Sequence, residues 1–473
     1  MLDVIIRGDR VVTPWNVDSY DIGIQGEKIV AVQKPGTITG DARRVIDATG
    51  KLVIPGGIEP HAHVAWATFT TKDKAMPDEE SRASVFGGTT TICDFAVQYP
   101  GIDIFQAIKE RNSVWQANSY ADYTYHPMLI GPPPPNIVSQ VGDAIKAGFP
   151  SIKIFTTNLT PIGAERMNRK LDMGSVVVVM EQVAAHGGIL MVHAEDDEIV
   201  MYNHQRLKAE GRDEWYNLHL VHSNMSEDIS FRRVIRAAEW TGAAVYLVHV
   251  SAREGVQAIQ EARSKGLPVY GETIHNYVSF TAEDYKKPDG MKYHTYPSLK
   301  SDDDRAALRD SLINGTMSCM ATDQVYTSLA EKLKGRTVDT VTGGHNGIET
   351  RVGITYNEGV VKRGMSLQRF VDVISTNAAK IMGLYPRKGA IAPGSDADIV
   401  FIDPGFRKKL TLDDLHLGDY SIWEGWEVTG WPVFTMVRGK VVVEDRKLVG
   451  SKNHGQLLTD RKIAPELLKR PVC

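Results

Sequence analysis

Apolar and polar positions fall into two textures along the chain. The first fifty residues alternate in short runs, DVIIRG, DIGIQG, KIVAVQ and RVIDAT, punctuated by Gly, Asp and Pro. A period of two predicts half-buried strands. The same texture returns near the other end in ADIVFID and WPVFTMVRGKVVVEDRKLVG. Neither flank makes a complete sandwich by itself. The two are therefore predicted to join as one small β-sandwich domain, from residues 1–54 and 389–445. Between them the runs change to short apolar strands alternating with amphipathic stretches. The candidate strands are LVIPGGI, TTTICDF, YTYHPML, SIKIF, GILMVHA, AVYLVHV, LPVYGE and MSCMATD, and EGVQAIQEARSKG carries apolar residues at helical spacing. Strands alternating with helices predict an α/β fold with a parallel sheet. Eight such strands can close a (β/α)8 barrel, although the pattern also fits an open doubly wound sheet. In the barrel reading it spans residues 55–388, and 446–473 form a tail.

Composition narrows the classes. The chain is 42% hydrophobic and 24% charged, as in a soluble globular protein. Its net charge of −4 gives no reason to expect nucleic acid or an anionic membrane as partner. No stretch approaches the roughly 20 apolar residues of a membrane span, and MLDVIIRGDRVVTP does not read as a signal peptide. Cys93, Cys319 and Cys473 are too sparse for a disulfide framework and fit a reducing, cytoplasmic setting.

The chemistry concentrates where (β/α)8 enzymes keep it, at the C-terminal ends of the strands. Those ends carry His61, His63, Lys153, His193, His249 and Asp323. His61 and His63 stand two apart, so an extended chain turns both imidazoles to one side. Such a pair suits Zn, Fe, Ni or Mn; it also fits a solvated loop. His193 and His249 each end an apolar run. One such histidine is ordinarily a hydrogen-bonded core residue, whereas two at matching places on neighbouring strands point to a site. Asp323 ends another run and needs a partner, which a cation would supply. Lys153 sits inside SIKIF. It could snorkel to the surface. Desolvated, it would have a depressed pKa, and as a free amine it could add CO2 and bridge two cations through the carbamate oxygens. GGHNG at 343–347 lacks the Lys and Ser/Thr of a phosphate loop and reads as a close backbone approach. No GxSxG elbow precedes a helix, and no cysteine has a convincing histidine partner nearby in sequence.

This order of residues resembles the cyclic amidohydrolases, specifically the hydantoinase and dihydropyrimidinase group. The likeness covers nearly the whole chain: IPGGIEPHAHV, FGGTTTICDFA, PSIKIF, VHAEDDEIV, VHVSAREGVQAIQEARSKGLPVYGET, ATD, NAAKIMGL, APGSDADIVFIDP and EGWEVTGWPVFTMVRGKVV. The resemblance implies two divalent metal ions, zinc with manganese as the alternative. His61, His63, Lys153 and Asp323 would hold one; Lys153, as a carbamate, with His193 and His249 would hold the other. Asp323 would take a proton from the attacking water and return it to the leaving nitrogen of a small cyclic amide. The resemblance also implies a homotetramer, with the tail reaching a neighbour.

The departures concern substrate recognition. Asn158 stands where the group has an oxyanion-binding tyrosine, Tyr296 where it has a serine, and Gly343 where it has an asparagine. These changes imply a repositioned, larger or more substituted ring, with Gly343 opening space. Trp66 and Phe69, in VAWATFTTKDKAMP, are candidate walls for its substituent. Other readings are allantoinase or another ureide or lactam hydrolase, and a one-metal deaminase, which would lack the bridging lysine. A non-catalytic scaffold relative would have lost the ligand residues.

Overall fold

The computed structural model describes residues 1–38, 40–66, 74–161 and 168–473. Eight short strands form the central sheet: β1 (Gly57–Glu59), β2 (Thr89–Gln98), β3 (Asp122–Leu129), β4 (Ser151–Phe155), β5 (Ile189–His193), β6 (Ala244–Leu247), β7 (Val269–Ile274) and β8 (Cys319–Ala321). They lie in sequence order, every neighbouring pair parallel. Their side chains are buried on both faces, which is why they read as continuous apolar runs. Helices such as Met173–His186, Asn224–Thr241 and Arg253–Ser264 return the chain between strands. The architecture is a (β/α)8 barrel.

Side chains close the seam between β1 and β8. Glu59 Oε1 accepts from Thr322 N at 3.1 Å and from His61 N at 3.0 Å. Its other oxygen is 3.1 Å from Nε of the buried Arg351, whose Nη1 also donates to Met320 O. Just above, Ala62–His63 pairs in parallel with Gln324–Val325. The seam is thus closed beside His61, His63 and Asp323.

The chain ends build a nine-stranded mixed sheet around its own core, which includes Ile6, Ile24, Val53, Ile399 and Phe434. The N- and C-terminal parts meet where Leu52–Pro55 pairs antiparallel with Ile399–Lys409. The run LVIPGGI, expected to be one barrel strand, is therefore two: Leu52–Pro55 belongs to the outer sheet and Gly57–Glu59 to the barrel. Gly56 is the break, and a Cβ there would stand 2.1 Å from Thr90 Oγ1. Buried Lys388 ties the two bodies together, its Nζ 2.6 Å from Asp122 and 2.8 Å from Asp398.

The tail packs against its own barrel. It runs under the N-terminal ends of the strands, where Tyr123 N donates to Gln456 O and Leu458 N to Tyr123 O. Leu458, Ile463 and Leu467 are buried there with Cys93, Met191 and Tyr270. Among the described residues, no helix is long and apolar enough to cross a membrane.

Arg461 anchors the tail. Its buried guanidinium donates to Tyr125 O at 2.6 Å, Ser151 Oγ at 3.1 Å and Gly148 O at 3.2 Å. Arg461→Ala strands these acceptors at the face opposite the polar strand ends. We expect a loss on the order of 3 kcal/mol, measured as a lower thermal midpoint with turnover at permissive temperature retained. An unchanged midpoint would refute this role for the tail.

Candidate metal centre

The barrel aims its strand ends at one point. His61 and His63 follow β1, Lys153 is central in β4, His193 ends β5, and His249 and Asp323 lie two residues beyond β6 and β8. His249 and Asp323 adopt left-handed backbone, φ 39° and 50°. That conformation is strained for residues other than glycine and turns both side chains off their strand direction. All six residues line one cavity of about 140 Å³. A dry cavity of comparable size, about 150 Å³, can hold one small ring.

The donor atoms are close and underused. Candidate ligand atoms of His61, His249 and Asp323 lie within 4.8 Å of one another. Asp323 Oδ1 is 3.2 Å from Nε2 of both His61 and His63. Even so, His61 Nε2 and His249 Nδ1 are buried without a hydrogen-bond partner among the described residues. Buried polar atoms are normally paired, and a lone pair aimed into a polar cavity is what a cation requires. Lys153, only 1% exposed, lies between Phe95 and Phe155, its Nζ 5.5 and 5.1 Å from their ring centres. Among the described residues no carboxylate lies within 4 Å of that nitrogen. This donor set fits divalent metal.

Burial sets the protonation states. It drives His61 down to about 3, with the charge of Lys153 acting the same way, and His63 and His193 to about 4. His249 also falls well below its ordinary value. Burial pushes the Asp323 carboxyl up, but His61, His63 and His249 around it hold it well below the usual range. Lys153 is lowered to about 8 by burial, against the pull of Asp323 and Glu272. About one molecule in ten would then carry the free amine at neutral pH. The site thus presents neutral imidazoles, an ionised carboxylate and a reactive amine.

A second layer orients the first. Glu272, in the middle of β7, bonds His61 Nδ1 and accepts from Tyr246 OH at 2.8 Å and His249 N at 3.3 Å. With its proton on Nδ1, His61 offers Nε2 to the cavity. Glu195 is 3.1 Å from His193 Nε2 and 3.0 Å from His222 Nδ1. The sequence reading passed over both glutamates. Glu272 had a visible signal, a carboxylate inside the apolar run VYGETI, of the same kind as Lys153 in SIKIF.

The substrate wall differs from expectation at Asn158 and at Gly343. Asn158 does not line the cavity: its Oδ1 accepts from Arg169 N and Lys170 N, and its Nδ2 donates to Asn168 Oδ1, so its amide secures the segment at 168–170. Gly343 opens no space, because a Cβ there would stand 2.5 Å from the Tyr296 ring, which already fills the position. Phe69 lies outside the described residues. Trp66 does line the cavity, edge-on to His63 with ring centres 4.6 Å apart. Arg169, Thr295 and Asp339, none of them foreseen, complete the wall; Thr295 Oγ1 is 3.4 Å from Asp323 Oδ2.

The sequence model of the amidohydrolase family matches residues 52–442. The chain belongs to the amidohydrolase family. This family is metal-dependent, in keeping with the donor set above. A D-hydantoinase of Ralstonia pickettii is 32% identical over 466 residues, covering 98% of this chain and 99% of that protein. A D-hydantoinase of Geobacillus stearothermophilus is 32% identical, covering 97% and 96%. The crystal structure of dihydropyrimidinase from Brevibacillus agri superposes with a TM-score of 0.92 at 31% identity, covering 98% of this chain and all of that one.

The buried imidazoles make the metal-free amidohydrolase acid-sensitive. His63 and His193 have folded values near 4 against an ordinary 6.5. The unfolded chain therefore takes up these protons first, and stability falls as pH drops from about 6.5 towards 4. Each ring contributes about 2 kcal/mol between pH 7 and pH 5. Chelator-stripped protein should show a thermal midpoint that falls steadily over that interval. A flat profile would mean that the rings are not buried in neutral form.

Proposed function

We propose that this amidohydrolase opens a cyclic amide or imide, a hydantoin- or dihydropyrimidine-like ring, to an N-carbamoyl or related open-chain acid. The convergence of Lys153 with His61, His63, His193, His249 and Asp323 on one cavity carries this reading. The printed names of the relatives, D-hydantoinase and dihydropyrimidinase, support the substrate class.

Two divalent cations, zinc with manganese as the alternative, would supply Lewis acidity and a more acidic water. His61, His63 and Asp323 would hold one and His193 and His249 the other. Lys153, carboxylated by CO2, would lie between them. Asp323 accepts a proton from the attacking water as the C–O bond forms, then gives it to the ring nitrogen as the C–N bond breaks. The position of Asp323 Oδ1, 3.2 Å from the nitrogens of both His61 and His63, suits a group that must meet water and ring together. Glu272 and Glu195 fix the imidazoles, so little reorientation is needed during reaction. Trp66, Phe155 and Tyr296 give the wall an aromatic character suited to a substituted ring. A homotetramer in the cytoplasm belongs to the same reading, with sedimentation analysis as its check.

The test is a hydrolysis screen over hydantoin, dihydrouracil, aryl- and alkyl-substituted hydantoins, allantoin, cyclic imides and lactams, with metal content measured alongside. Ring opening is expected, fastest for substituted rings; no turnover of any cyclic amide by metal-loaded protein would overturn the proposal. Asp323→Asn should lower kcat at least about a hundredfold. Near wild-type turnover in that variant would remove Asp323 from the proton path.

A further inference from the structure

One buried cation takes no part in the centre just described. Lys332 ends the short helix Leu329–Lys332 and is fully buried. Among the described residues no carboxylate lies within 4 Å of its nitrogen. Instead Nζ donates to three main-chain oxygens, His294 O at 2.7 Å, Thr342 O at 2.6 Å and Gly344 O at 2.7 Å. Burial pulls the amine well below its ordinary value. The three carbonyls act in the other direction, because only the ammonium has a hydrogen for each.

These oxygens belong to two segments far apart in sequence that together form one wall of the cavity. One supplies Thr295 and Tyr296, the other Thr342, Gly343 and Gly344. The segments approach so closely that a Cβ on Gly343 would meet the Tyr296 ring at 2.5 Å. The hydroxyl of Tyr296 is 3.4 Å from Val341 O, a long contact. The three bonds from Lys332 are short polar links across this junction. Without a cation, three carbonyl dipoles would point at one another in a water-poor interior.

We infer that Lys332 is a positioning residue, a built-in monovalent cation whose three-carbonyl nest fixes the wall against which the ring is held. Removing the ammonium leaves a nest of backbone oxygens, the kind of surrounding that can replace the hydration shell of potassium. Its consequence for catalysis rests on the proposed cyclic-amide hydrolysis; the nest itself does not.

The experiment compares Lys332→Ala with wild-type holoenzyme by hydrogen exchange and kinetics, in tetramethylammonium, potassium and ammonium chlorides. In tetramethylammonium, amides at 294–296 and 341–345 should exchange about tenfold faster or more, while β5 is unchanged. Ammonium or potassium should return them towards wild type. For a ring that the wild type opens, KM should rise about tenfold with kcat within about threefold, and the same small ions should restore KM. Unchanged exchange in both segments, equal loosening everywhere, or indifference to small cations would overturn the nest. Loosened segments with an unchanged KM would overturn its role in holding substrate. If Lys332→Ala does not fold, Lys332→Gln, which keeps two donors, should show a weaker effect with the same ion dependence, and its indifference to ions would count equally against the inference. If no cyclic amide is turned over, the exchange arm still decides the nest.

Discussion

An amine with almost no solvent and, among the described residues, no carboxylate within 4 Å is hard to keep charged, and Lys153 in the middle of β4 is such an amine. Its neighbours are Phe95, Phe155, imidazoles and, further off, the carboxylates of Asp323 and Glu272. Burial lowers its affinity for a proton, and a free amine of this kind can become an anion by adding CO2. The surrounding choices follow from that constraint. Four histidines are kept neutral by the same burial, and the carboxylate of Asp323 is favoured by the hydrogen bond from His63. Such a set of lone pairs is costly to bury unless something positive is shared among them.

The rest of the barrel holds that set in place. Glu272 bonds both His61 and the backbone of His249, linking the first strand to the sixth through a residue on the seventh. Glu59 and Arg351 close the seam beneath His61 and Asp323. The strained backbone at His249 and Asp323 is tolerated because β6, β8 and the seam fix the segments on either side. Stabilising contacts of the tail lie at the opposite end, so the face that carries the chemistry can vary its loops without losing the plug beneath.

Much of this was legible in the sequence, and for one physical reason: polar residues inside or ending short apolar runs must be buried, and burial demands partners. That argument brought out His61, His63, Lys153, His193, His249 and Asp323. Applied evenly it would also have brought out Glu272, since VYGETI is as apolar around its glutamate as SIKIF is around its lysine. What stayed hidden depends on contacts between distant segments. Whether Asn158 faces the ring or braces residues 168–170 cannot be read from its neighbours in sequence. Gly343 looks like added space until the ring of Tyr296 is seen lying against it. LVIPGGI looks like one strand because the obstacle at Gly56 is a threonine from another strand. The tail has no strong periodicity, and its fit under the barrel turns on the buried guanidinium of Arg461.

In the function proposed above, Lys153 becomes a carbamate shared by two cations. Native protein equilibrated with ¹³CO2 and divalent metal tests it most directly, by elemental analysis together with ¹³C magnetic resonance. Two cations per chain and one bound carbamate carbon are expected, both lost together on chelation at mildly acidic pH. A fully loaded, active protein with no carbamate signal, or with a single cation that leaves Lys153 titrating as an amine, would contradict it.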